Sequence, residues 1–160
     1  MKYDIEKIKP EHDDTICRII KTVGKEFGAI GDGFGPSDEE VLAMSRYYNE
    51  ENNSIYLVAA IDETIVGGGG IAPFNNSLEV CELRKLFLLP ESRGFGIGKD
   101  LTLKCLRFAR SKGYKQCYLD TLSNMKVAIG LYENLGFRHL KEPLGGSIHG
   151  GCNVWMLKNL

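Results

Sequence analysis

The chain of 160 residues has no apolar run approaching the roughly 20 residues that span a bilayer, so it offers no candidate transmembrane helix. Its opening, Met1-Lys2-Tyr3-Asp4-Ile5-Glu6, lacks the apolar core of a secretion signal. Charge of one sign is also missing: 20 Lys and Arg stand against 21 Asp and Glu, a formal net charge of −1. This removes the global electrostatic case for nucleic acid or an anionic membrane as partner. The five cysteines (Cys17, Cys81, Cys105, Cys117 and Cys152) are odd in number, scattered and never in a Cys-x-x-Cys pair. That pattern argues against a disulfide framework and a structural zinc site, and toward a reducing cytoplasm. Repeats, low-complexity tracts and linkers are absent. With 43% hydrophobic and 26% charged residues the chain has globular composition, and its length suits one domain over residues 1–160.

Glycine, in contrast, is plentiful, and its most informative use is Arg93-Gly94-Phe95-Gly96-Ile97-Gly98-Lys99. This stretch follows the apolar run Leu86-Phe87-Leu88-Leu89-Pro90 and opens an amphipathic segment. Glycines at alternate positions allow a tight turn and expose backbone N–H groups without side-chain obstruction. The helix that follows leaves its first N–H groups unpaired and carries partial positive charge at that end. The combination is an anion cradle suited to phosphate, flanked by Arg93 and Lys99; a plain strand-to-helix turn is the alternative. Two familiar phosphate motifs fail. A Walker loop needs glycine where Arg93 stands and Ser or Thr where Asp100 stands. The dinucleotide fingerprint needs a two-residue gap before its third glycine, whereas Gly94, Gly96 and Gly98 are evenly spaced.

Periodicity places the remaining elements. Tyr3 to Ile8 alternates as a half-buried strand ended by Pro10, and Ile16, Ile19, Ile20, Val23 and Phe27 form one stripe of a helix from His12 to Phe27. Ser37, with Asp38, Glu39 and Glu40 behind it, resembles the capped start of a second helix running to about Tyr48. Ile55 to Ile61 is a continuous apolar run expected of a strand covered on both faces. After a turn at 62–64 comes Gly67-Gly68-Gly69-Gly70, where something must approach closely, a helix packed on the sheet or a ligand, or the strand must bend. Strands at Glu79–Leu88 and Gln116–Thr121 flank a helix over Ile97–Ser111. A helix over Met125–Leu135, capped by Ser123 or Asn124, and an antiparallel pair at Phe137–Lys141 and Cys152–Lys158 close the chain.

Arg93, Gly96 and Gly98 fill the Arg/Gln-x-x-Gly-x-Gly/Ala pattern, and Asn124 precedes a helix ending Tyr132-Glu133-Asn134-Leu135-Gly136-Phe137. In this order and separation the two motifs resemble those of the Gcn5-related N-acetyltransferases (GNAT). The resemblance implies an α/β fold with a mixed, mostly antiparallel sheet whose central strands splay apart, and acetyl-CoA as acyl donor without a metal. It implies that Leu86, Phe87 and Leu88 bond the pantetheine arm through their backbone, with Pro90 ending the pairing. The amides of Arg93, Gly94, Phe95, Gly96, Ile97, Gly98 and Lys99 would hold the pyrophosphate, and Asn124 would reach the arm from across the splay. Tyr132 falls where the family keeps the general acid that protonates the leaving thiolate; by spacing alone it is a core aromatic. Glu82 falls where some members carry a general base, and strand alternation puts it on one face with Arg84 and Leu86. A structural ion pair, or a water relay in place of a base, is the alternative for Glu82.

The acceptor, a small-molecule amine or a protein amino group, is expected between the Phe27–Pro36 and Gly145–Gly151 loops, with Phe34 and His149 as binding residues. Gly145 to Cys152 is similar to a Gly-x-x-Gly-His-x-x-Cys segment of one branch of small bacterial acetyltransferases, except for Ile148. His149 would orient substrate or shuttle a proton; a hydrogen-bonded loop histidine is the alternative. A non-catalytic acetyl-CoA sensor is the competing function. Pairing of the closing strand between two copies would give a homodimer.

Overall fold

The structure, a computed structural model, describes residues 2–160. Its elements are β1 (Asp4–Lys7), α1 (Asp13–Glu26), α2 (Met44–Tyr47), β2 (Ile55–Ile61), β3 (Thr64–Pro73), β4 (Val80–Leu88), α3 (Ile97–Ser111), β5 (Gln116–Thr121), α4 (Lys126–Asn134), β6 (Arg138–His139) and β7 (Val154–Asn159), linked in places by short 3-10 turns. The strands form one sheet of seven in the order β1-β2-β3-β4-β5-β7-β6. Only β4 and β5 pair in parallel; the other neighbours are antiparallel.

Both faces of the central sheet are covered, which is why β2 reads as a continuous apolar run rather than an alternation. Leu57 and Ala59 face the side where Ile97, Leu101 and Cys105 of α3 and Tyr132 of α4 pack. Tyr56 and Val58 face the side filled by Ile16 and Ile20 of α1 and Met44 of α2. The apolar stripe of α1 is fully used: Ile16, Ile19, Ile20 and Val23 are buried, each gaining about 1.5–3 kcal/mol from removal from water.

At each of the four glycines of β3, the atoms nearest to an added Cβ belong to the neighbouring strands β2 and β4. A Cβ on Gly68 would lie 2.6 Å from both the Tyr56 ring and the Leu57 carbonyl; on Gly70 it would lie 2.7 Å from the same ring. On the opposite face, a Cβ on Gly67 or Gly69 would lie 2.5 Å from the Leu88 or 2.6 Å from the Leu86 side chain. Tyr56 thus lies across β3 and donates from its hydroxyl to the Lys85 carbonyl of β4 at 2.8 Å. There β4 bulges. Gly68 pairs with Phe87 but Gly70 with Arg84, so Lys85 and Leu86 oppose Gly69 alone, and Lys85 adopts φ +54°.

The bulge corrects the face assignment of β4. Strict alternation puts Leu86 with Glu82 and Arg84, but the extra residue reverses the parity beyond Lys85, and Leu86 and Leu88 join the same core as Cys81 and Leu83. A second correction concerns residues 37–48. Instead of one helix, the chain makes 3-10 turns at Gly35–Ser37 and Glu39–Ala43 and a single α-turn, α2. The Ser37 hydroxyl accepts from the Gly31 amide rather than capping a helix, and the Asp38 carboxylate is bonded by Lys85 and His149. The local helix signal yields to tertiary ion pairs.

Replacing Gly68 by Ala should therefore lower the unfolding free energy by about 1–3 kcal/mol, because the new methyl meets a backbone carbonyl and an anchored ring. Gly130→Ala, in α4 with open space around its Cα, should raise it by about 0.5–1 kcal/mol. Urea unfolding of the two variants checks both signs.

Candidate active site

Parallel pairing between β4 and β5 lasts only from Val80–Glu82 against Gln116–Tyr118. Beyond it β5 stays with β7 as far as Thr121, while β4 keeps its partner β3 on the other side. The strands part, and Leu86, Phe87 and Leu88 have no strand on their β5 side. The chain then turns through Leu89-Pro90 into the glycine stretch. Gly94 and Gly96 have φ +84° and +87°, the left-handed region that glycine occupies at least cost. Among the described residues none of the amides from Gly94 to Lys99 donates to a turn or loop carbonyl, and the first bond of the helix start is Asp100 N–H to the Gly96 carbonyl, 3.0 Å. No side chain caps α3. The result is a run of free amides at a positive helix end, directly after an open strand edge.

Arg93 joins this turn to α1. Its guanidinium makes two bonds to the Glu26 carboxylate, 2.7 and 2.8 Å, bonds the Leu88 carbonyl at 3.1 and 2.9 Å, and stacks 5.5 Å over the Phe27 ring. The Arg93 side chain is thus a brace, and its amide donates to the Pro90 carbonyl. Asn124 is a second tie across the splay: its amide donates to the Phe27 carbonyl at 2.9 Å. Neither Asn124 nor Ser123 caps α4, whose N-terminus has no side-chain cap; Ser123 is instead joined to Asn153.

On the far side of the splay lies an open cleft of ≈ 480 Å³, its mouth included, with Phe34, Pro36, Leu83, Phe87, Met125 and Cys152 among its walls. The two loops expected to form the acceptor site do meet here. The Gly151 amide donates to the Gly33 carbonyl at 2.9 Å, and Gly151 lies so close to the Phe34 ring that a Cβ would come within 2.5 Å of it.

The cleft floor is a network of buried charges. His149 is 7% exposed, with Nδ1 3.0 Å from Asp120 Oδ1 and Nε2 2.7 Å from Asp38 Oδ2. Burial alone would lower its pKa, but the hydrogen bonds from Asp120 and Asp38 outweigh that and push it up to about 9, so the ring carries both protons at neutral pH. Glu82 accepts from Arg84 Nε at 2.6 Å, and burial holds its carboxyl above the ordinary range despite Arg84. Lys85, its side chain 2% exposed, bonds Asp38 at 2.8 Å and lies 3.7 Å from Glu40. Glu40 also faces Arg84 at 3.4 Å and accepts from the Tyr48 hydroxyl.

Of the residues singled out in the sequence, Glu82, His149 and Phe34 come together in this cleft. Tyr132 is elsewhere, 5% exposed on α4 in the core and tilted against Phe137 with ring centroids 5.8 Å apart. Burial, reinforced by Cys117 and Cys105, raises its pKa and keeps the phenol protonated. Asp38, Glu40, Lys85 and Asp120 were not foreseen. The adjacent cations Arg84 and Lys85 inside an apolar strand were the available signal, since cations buried in a sheet need carboxylates facing them.

A splayed sheet with an open strand edge leading to an uncapped, glycine-rich helix start is the arrangement that the GNAT resemblance implies. The comparisons agree. The acetyltransferase (GNAT) family matches residues 27–137, and the chain belongs to that family. It is 37% identical over 158 residues, 98% of this chain and 94% of the relative, to the uncharacterized N-acetyltransferase YjgM of Escherichia coli. An acetyltransferase of the GNAT family from Staphylococcus aureus superposes with a TM-score of 0.86 at 22% identity, covering 99% of each chain. The PaiA N-acetyltransferase of Thermoplasma acidophilum, in complex with coenzyme A, does so with a TM-score of 0.79 at 22% identity over 100% of each chain. Among the described residues no helix is long and apolar enough to cross a membrane.

Lys85 is the cation on which the floor depends. Lys85→Met should lower the unfolding free energy by about 2–4 kcal/mol, because it removes the buried cation that Asp38 and Glu40 share and leaves them only His149 and Arg84 as charged partners. Chemical denaturation compared with wild type measures it.

Proposed function

We propose that the protein transfers an acetyl group from acetyl-CoA to a small primary amine bound in the cleft. The observation that carries this reading is the continuity of the open β4 edge with the free amides of Gly94 to Lys99. The first can pair a pantetheine arm as a strand would be paired, and the second can hold the pyrophosphate that follows it. Leu86, Phe87 and Leu88 take the arm and Asn124 borders it, while Arg93 fixes the turn against α1. The coenzyme A complex of the related fold in Thermoplasma acidophilum supports the same choice of donor.

The acceptor enters on the opposite side of the splay, between Phe34 and the His149 loop. A protonated amine is drawn to a floor that holds the carboxylates of Asp38, Glu82 and Asp120, and must lose a proton before it can attack the thioester. Glu82, whose burial makes it a stronger base than an exposed carboxylate, takes that proton. The amine nitrogen forms a bond to the acetyl carbon and the carbon–sulfur bond breaks, with charge passing from the carbonyl oxygen to the sulfur. Tyr132, kept protonated by its surroundings, supplies the proton to the thiolate. His149, clamped between Asp38 and Asp120, holds the acceptor loop in place.

Three variants test the reading. Gly96→Glu should abolish acetyl-CoA binding by calorimetry, since it places negative charge in the cradle at a φ suited to glycine. Tyr132→Phe should leave binding intact and lower kcat by about 10²-fold. Glu82→Gln should lower kcat to a similar degree. Release of free thiol with a panel of amines is the assay. No release with any amine would favour a coenzyme-binding sensor, and an unchanged rate in Tyr132→Phe would assign the proton to another group.

A further inference from the structure

We propose that Glu82, Asp120 and His149 form a binding site for one first-row divalent transition-metal ion such as zinc. The three come from separate parts of the chain, β4, β5 and the loop before β7, and their side chains are 5%, 3% and 7% exposed. One donor atom from each lies within 4.8 Å of the others. His149 Nδ1 stands 3.0 Å from Asp120 Oδ1 and 3.7 Å from Glu82 Oε2. Donors bound at roughly 2.0–2.2 Å by a tetrahedral ion are separated by about 3.3–3.6 Å, so the two spacings from His149 Nδ1 need only small adjustment, and the Glu82 and Asp120 donors lie within 4.8 Å of each other.

Proximity alone would not distinguish this from any acidic cluster. What does is the state of the atoms pointing away from the shared centre, each of which has its own partner. His149 Nε2 faces Asp38 Oδ2 at 2.7 Å, and Lys85 bonds Asp38 in turn. Glu82 Oε1 accepts from Arg84 Nε at 2.6 Å. Asp120 Oδ2 accepts from the Ser147 hydroxyl at 2.6 Å. A histidine whose second nitrogen is held by a carboxylate, beside carboxylates held by donors on their outer oxygens, is how proteins orient metal ligands. In the structure the Nδ1 proton occupies the centre, and the ion would take its place. An imidazole with two carboxylates favours zinc, manganese or iron(II) over magnesium or calcium, which prefer oxygen alone.

This inference does not depend on acetyl transfer, although it touches it: Glu82 cannot ligate an ion and accept a proton from the acceptor amine at once. Metal and amine therefore exclude each other from the floor.

Calorimetric titration of chelator-treated, coenzyme-free protein with zinc chloride tests the site without an activity readout. One equivalent should bind, with a rise in Tm. Asp120→Asn and His149→Gln should each abolish the binding, Ser147→Ala should weaken it by about 10–100-fold, and His139→Gln should leave it unchanged. Absence of stoichiometric binding, or binding retained in both Asp120→Asn and His149→Gln, would overturn the proposal. Should those variants fail to fold, X-ray absorption of zinc bound to the wild-type protein decides. An imidazole and carboxylate shell supports the site, whereas a sulfur-dominated or all-water shell overturns it.

Discussion

Tyr56 reaches across the glycine tract of β3 to hydrogen-bond the Lys85 carbonyl of β4, and the geometry of the site depends on the bulge secured there. The left-handed backbone at Lys85 is unfavourable for a residue with a Cβ, by about 1–2 kcal/mol. It persists because the carbonyl is held by a buried phenol and the ammonium by Asp38 and Glu40. Gly68 and Gly70 follow from the same arrangement, since any side chain on either would occupy the space of the Tyr56 ring. Beyond the bulge the parity of β4 reverses. Glu82 and Arg84 stay on the side of the buried charges, while Leu86 and Leu88 close the core beneath α3.

Two parts of the proposed site thus share one strand. Its far end is apolar, open along the backbone, and continues into free helix amides; its near end carries Glu82 into the charged floor. The floor ties together segments that local structure does not connect. Asp38 comes from the loop after α1, Lys85 from β4, Asp120 from β5 and His149 from the loop before β7. The acceptor loops have little regular structure of their own, and these ion pairs, with the Gly33–Gly151 backbone bond, hold them in place.

How much of this was legible depends on the range of each signal. The helix Ile97–Ser111 and the strands Ile55–Ile61 and Gln116–Thr121 have the bounds that periodicity predicts, because their patterns complete within a few residues and packing agrees with them. The helix expected over residues 37–48 failed where local and tertiary demands conflict. Asp38 and Glu40 look like an acidic first turn, yet their carboxylates are needed by Lys85, Arg84 and His149. Asn124 was expected as a possible cap, but it caps no helix; its amide bridges to the Phe27 carbonyl, a partner 97 residues away that no local rule could indicate.

The order of the elements, the glycine turn at Gly94 to Lys99 and the family were determined by the sequence alone, since each rests on neighbouring residues and their backbone preferences. Tertiary structure decided which residues form the charged cleft floor, where β4 changes face, and that Arg93 braces the turn through Glu26. Those outcomes arise from buried charges seeking partners. The desolvation cost that drives the pairing exists only after the chain has closed around them.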